Sequence, residues 1–136
     1  MKSIKQFVET VTHSRKRTGV IWLNRPELLQ ELQNCGIKLI NFADQPVDNV
    51  IISDDQLVDL LIRSEPTFSV AFLNLEIFLA PRFKDLKYLP YLLSKMTVQE
   101  PYHPVFLVFY SKILYRRFRD HYMGQKQTEN HFYEEN

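Results

Sequence analysis

Four short apolar runs, each followed by a stretch of helical periodicity, constrain the fold of this chain more than any other feature. They are Val20-Ile21-Trp22-Leu23, Ile37 to Phe42 with Lys38 and Asn41 among its apolar residues, Phe68 to Leu75 with Ser69 and Asn74 among its own, and Val105 to Tyr110. A strand with one wet face alternates apolar and polar residues, whereas a strand covered on both faces reads as a continuous apolar run. Strands of the second kind, separated by helices, imply a parallel sheet with helices on both faces. The fold class read from the chain is therefore α/β, a three-layer open sandwich with a mostly parallel sheet of four to five strands. Phe68 to Leu75 is expected as the central strand.

The helices follow from spacing and caps. Ile4, Phe7, Val8 and Val11 form one apolar stripe over residues 3–14. Thr18-Gly19 reads as punctuation before the first strand. Asn24 is expected to cap a helix over residues 26–35, with Pro26 in its first turn and Gly36 ending it. Val50-Ile51-Ile52 reads as a further short strand or as a loop. Ser53, followed by Asp54, Asp55 and Gln56, begins a helix that Pro66 stops. Residues 85–96 read as a helix interrupted at Pro90. A last helix begins at Ser111 and ends before Gly124. Residues 1–124 are expected to form a single α/β domain, and residues 125–136 a polar, frayed tail.

Composition limits the setting. With 136 residues, 45% hydrophobic and 24% charged, the chain suits one globular domain. Its longest apolar runs fall well short of the roughly 20 residues that span a bilayer. The first residues, MKSIKQFVETVTHSRKRTG, lack the apolar core of a secretion signal. A lone cysteine, Cys35, makes no internal disulfide and supports no multi-cysteine metal site. A cytoplasmic protein without membrane association is expected.

The net charge of +1 hides a polarity. From Asp44 to Glu76 seven acids face Arg63 alone, while from Ile77 to Lys126 nine bases face three acids. Such a distribution favours oriented association with a charged partner, or between copies of the chain through opposite-charge faces. It serves equally if the two halves neutralise each other on one surface.

Ligands of open α/β sheets bind at the carboxyl ends of the strands. Those ends carry Asn24 and Arg25, Asn41 and Asp44, Asn74 and Glu76, and Ser111 and Lys112. A phosphate-wrapping loop needs clustered glycines with Lys and Ser/Thr, yet the three glycines, Gly19, Gly36 and Gly124, lie far apart. No cofactor is expected. Cys35 at a helix end meets the negative end of the dipole, which disfavours a thiolate, so a packed thiol is the plainer reading. His13, His103, His121 and His131 lack metal-ligand spacing. The candidate catalytic groups are Glu76 with Asp44, as a divalent-metal-dependent hydrolase using strand-end carboxylates. Lys112, Arg116 and Arg119, at i, i+4 and i+7, form a basic stripe opposite Leu114, Phe118 and Tyr122. With Arg15, Lys16 and Arg17 that stripe is a candidate partner-binding or nucleic-acid-binding surface. A solvated helix face is the simpler account of it.

VAFLNLE also resembles the apolar Walker B strand of small P-loop ATPases, with Asn74 where a Mg²⁺-binding acid is often found and Glu76 two residues on. VFLVFYS resembles their sensor strand, with Ser111 at its end. More narrowly, FLNLEIFLAPRFKDLKYLPYLLSK is similar in pattern to the small P-loop proteins of BREX phage-exclusion systems. The likeness spans roughly residues 18–112 and lacks a Walker A loop. It implies a degenerate relative that has kept the scaffold and lost ordinary nucleotide hydrolysis. The leading expectation is a non-catalytic adaptor, binding protein partners within an intracellular, phage-defence assembly. The aromatics Tyr102, Tyr110, Tyr115, Tyr122, Phe132 and Tyr133 supply interface-type side chains or core packing.

Overall fold

The first helix begins where its own residues satisfy its open end. In the computed structural model, which describes residues 3–14, 17–41, 69–74, 103–122 and 131–135, α1 spans Ile4–Thr12. The Ser3 hydroxyl accepts from the Gln6 amide, and the Gln6 side chain accepts from the Ser3 amide. This reciprocal pair satisfies two otherwise orphaned donors. Ile4, Phe7, Val8 and Val11 are all buried, as their spacing requires.

The strands are β1 (Thr18–Trp22), β2 (Lys38–Asn41), β3 (Val70–Leu73), β4 (Val105–Phe109) and β5 (Phe132–Tyr133). The remaining helices among the described residues are α2 (Glu27–Asn34) and α3 (Lys112–Tyr122). Among the described residues the strand pairings are all parallel, in the order β2-β3-β4-β1-β5. The chain is thus an α/β open sandwich. The helix expected after Ser53, the one over residues 85–96 and the run Val50-Ile51-Ile52 lie outside the described residues.

Side-chain alternation assigns each strand's residues to one of two layers. Ile21, Ala71, Leu73, Phe106, Val108 and Tyr133 join the buried residues of α1 and α2 in one cluster. On the other face Phe109 packs against Phe118 of α3, with ring centroids 5.4 Å apart, and Phe132 meets Tyr115 at 6.2 Å. Burying five consecutive residues on both faces is what makes β4 a solid apolar run.

Four expectations need correction. The central strand of the described sheet is β4, not the run containing β3, because β4 lies between β1 and β3. Gly19 does not punctuate a turn but sits inside β1, where Phe106 and Phe7 crowd the space a β-carbon would need. Asn24 does not cap α2, whose first flanking residue is Pro26 without a side-chain cap. Lastly, the segment expected as a frayed tail supplies β5, which pairs Phe132 with Val20 and Tyr133 with Ile21. Its aromatics have an apolar layer to enter on either side of the sheet, which outweighs the polarity of their neighbours. Gly36, at φ +80°, ends α2 as expected, in a conformation that costs glycine little.

Candidate functional site: the carboxyl edge of the sheet

Parallel strands deliver all their carboxyl ends to one edge. From β1 the chain passes through α2 on one face towards β2. From β4 it passes along α3 on the other face towards β5. Neighbouring strands whose connections leave in opposite directions form a topological switch point, the usual ligand crevice of such sheets. Here that point falls between the ends of β1 and β4.

At the end of β1 stands Arg25. Its guanidinium donates to Glu135 through Nε (2.6 Å) and Nη2 (3.0 Å), and to Glu31 of α2 through Nη2 (3.1 and 2.8 Å). Paired N–H groups meeting a carboxylate in this way give a charge-assisted, directional contact. The Tyr133 hydroxyl also donates to Glu135, and the Asn24 amide donates to the Glu135 backbone carbonyl at 3.2 Å. The hydrogen bond from Arg25 holds the Glu135 carboxyl below its ordinary range, with Tyr133 adding to the effect against the opposing influence of burial. Burial, then the hydrogen bond to Glu135, pushes the Tyr133 hydroxyl up.

At the end of β4, Trp22 Nε1 donates to the Tyr110 carbonyl (3.3 Å), and the Leu23 amide to the Phe109 carbonyl (2.8 Å). The Lys112 ammonium lies 4.6 Å from the centre of the Trp22 ring, a cation–π arrangement. Ser111 accepts from the Leu114 amide, so it caps α3 as its position predicts. Tyr110 and Ile113 stand exposed beside these groups, at 41% and 71%.

The ends of β2 and β3 are tied by one contact. Asn74 Nδ2 donates to Asn41 Oδ1 at 2.6 Å, and Asn74 takes a left-handed φ of 61°. Asn tolerates that conformation better than most side chains. The amide at the position the resemblance gives to a metal-binding acid is therefore engaged by a neighbouring strand end. Glu76 and Asp44 lie outside the described residues.

The basic stripe converges on one carboxylate. Arg119 Nη1 and Arg116 Nη2 reach Glu134 at 2.7 and 3.3 Å, and Lys112 Nζ lies 4.0 Å from it. Burial, reinforced by Glu134, pushes the nearby Tyr115 hydroxyl up. Arg15 and Lys16 lie outside the described residues. Arg17 precedes β1, whereas Lys112 follows β4, so the two stand at opposite edges of the sheet and do not begin one continuous basic face. Sequence reasoning missed Glu134 and Glu135 altogether, and named Tyr133 only among the aromatics available for an interface or the core. Phe132-Tyr133-Glu134-Glu135 is an apolar pair followed by an acid pair, which offers one of each to either face if the segment is an extended strand but does not by itself require a strand.

On the α1–α2 face a groove of about 940 Å³ opens, lined by Lys5, Glu9, Thr12, Arg25, Cys35 and Glu135 among others. Burial pushes the Cys35 thiol up, and Glu9 and Glu31 add to this against the opposing influence of Lys5. Such a thiol is a poor nucleophile at neutral pH. Among the described residues no cluster of three His, Cys, Asp or Glu side chains is placed to hold a metal ion, and no helix is long and apolar enough to cross a membrane. His131 is buried, with Nδ1 2.9 Å from the Thr18 carbonyl. A carbonyl only accepts, so Nδ1 carries the hydrogen.

Compared with protein-family models, curated proteins and solved structures, the chain matches none.

Proposed function

We propose that the chain is a non-catalytic α/β adaptor that binds a protein partner within a larger intracellular assembly. The observation that carries this reading is the state of Arg25. The arginine that follows β1, Arg25, already holds two carboxylates of its own chain, Glu31 and Glu135. A phosphate arriving there would have to displace both, with no glycine-rich loop to offer backbone donors in return. The neighbouring placement of β3 and β4, the strands likened to Walker B and sensor strands, supports a retained P-loop-type scaffold. The resemblance makes phage defence the setting to test first. Exposed Tyr110 and Ile113, beside Trp22 and Lys112, supply aromatic, aliphatic and cationic contacts for a partner.

The deciding experiment combines nucleotide binding with partner capture. The purified chain should show no thermal shift with Mg²⁺ and nucleoside triphosphates. Tagged protein recovered from its native source should bring down a partner that Ile113→Asp loses while the fold is intact. A Mg²⁺-dependent shift abolished by Glu76→Gln would replace this reading with the hydrolase.

A second reading rests on the stripe itself. Among the described residues Lys112, Arg116 and Arg119 meet Glu134, with Asp120 also beside Arg119, so three cations face two carboxylates and α3 keeps surplus positive charge. That surplus suits non-specific phosphate contacts with nucleic acid. Binding should then fall steeply with salt and vanish on charge reversal at Arg116 and Arg119. No binding at low salt would end it.

A further inference from the structure

The segment 131–135 is held in a way that a separate ligand would be held. Its paired strand is only two residues long and lies at the edge of the described sheet, beside β1. Its residues meet several parts of the chain. His131 bonds the Thr18 carbonyl, Phe132 packs on Tyr115 of α3, and Tyr133 packs on Phe7 of α1 at 5.3 Å. Glu134 takes Lys112, Arg116 and Arg119 of α3 on one face, and Glu135 takes Arg25 on the other. Pairing with the edge of β1 sets the strand in place, and alternating side chains supply selectivity for aromatic, aromatic, acid, acid. That is the chemistry of strand addition to a sheet edge.

We propose that the edge of β1, flanked by Arg25 on one face and the α3 cations on the other, is a strand-docking site that also takes residues 131–135 of a second copy of this chain, by reciprocal exchange. The contacts described for this segment are with α1, α2, β1, α3 and residues beside them. None of these groups distinguishes the copy that supplies the strand. Eight residues, 123–130, join α3 to the segment, and a stretch of that length spans on the order of 26 Å when extended. The site is filled within one copy when the chain is dilute, because a short tether provides an effective concentration on the order of millimolar. At high local concentration two copies can exchange strands and lose none of these contacts. This inference does not depend on the adaptor reading.

Complementary full-length variants test it. The first carries Glu134→Lys and Glu135→Lys, and the second Arg25→Glu, Arg116→Glu and Arg119→Glu. In each, the segment and its own site now repel. Alone, each should be folded by circular dichroism and monomeric by light scattering. Mixed in equal amounts, they should form a species of twice the mass that high salt dissociates. A mixture that stays monomeric overturns the proposal. Should either variant fail to fold, the full chain with Glu134→Gln and Glu135→Gln is titrated with a fluorescent peptide of residues 131–136. The variant should bind it at least tenfold tighter than the wild type, whose own segment competes. Equal affinity for both, or no binding, overturns the proposal equally.

Discussion

Phe106 occupies the space that a side chain on Gly19 would need. Its Cδ1 and Cε1 lie 2.8 and 2.9 Å from the point a β-carbon there would occupy, and Phe7 Cζ lies 3.1 Å from it. Both rings are buried, at 0% and 1% exposure, so neither has open space to move into. Gly19→Ala should therefore destabilise the chain by about 1–3 kcal/mol through overpacking. Urea titration measures this. Combined with Phe106→Leu, the loss should be less than the sum of the two single changes, since the smaller side chain returns part of the space.

The Asn74–Asn41 contact predicts an order among substitutions. Asn74→Val puts a β-branched residue at φ 61° and removes the donor, so it should cost about 2–3 kcal/mol. Asn74→Gly removes the hydrogen bond alone and should cost about 1 kcal/mol. Equal losses for the two would show that the backbone conformation contributes nothing.

Stability should depend on pH through Glu135 and Tyr133. Glu135 is held below its ordinary value of 4.5, so the unfolded chain binds its proton more readily. Its contribution is complete above that value and is lost as pH falls through the lower, folded pKa. Tyr133 has the opposite arrangement. Its hydroxyl is raised above the ordinary 10, so its contribution is complete below that value and is lost as pH rises through the folded pKa. Denaturant midpoints measured across the pH range should show both arms. Glu135→Gln should lower stability at neutral pH and narrow its difference from the wild type in acid. Tyr133→Phe should weaken the alkaline arm, the remainder belonging to Tyr115, whose hydroxyl is raised as well.

Cys35 should react slowly. With its thiol raised by burial, alkylation at neutral pH should run well below the rate of a free cysteine, and denaturant should restore that rate. Native and denatured rates that agree would mean the thiol is neither buried nor perturbed.

The parts of the fold legible in the sequence are those that local rules govern. Continuous apolar runs predicted β1, β3 and β4 because residues buried on both faces have no polar alternation to show. The stripe of Ile4, Phe7, Val8 and Val11 predicted α1, Ser111 predicted the start of α3, and Gly36 predicted the end of α2. The sequence by itself determined the alternation of the described elements and shows its three glycines far apart, since both depend on residues close in the chain. Tertiary structure alone decided the order of the strands, and with it that β4 stands at the centre. It also decided that Gly19 belongs inside a strand, because only packing brings Phe106 across from it. The candidate site was less legible still. Arg25 and Glu135 are 110 residues apart, and Asn74 and Asn41 are 33 apart. Nothing local in Phe132-Tyr133-Glu134-Glu135 distinguishes a polar tail from an edge strand. What distinguishes them is positive charge on each face of the sheet, Arg25 from a strand end 110 residues away and Arg116 and Arg119 from the preceding helix, placed there only by tertiary packing.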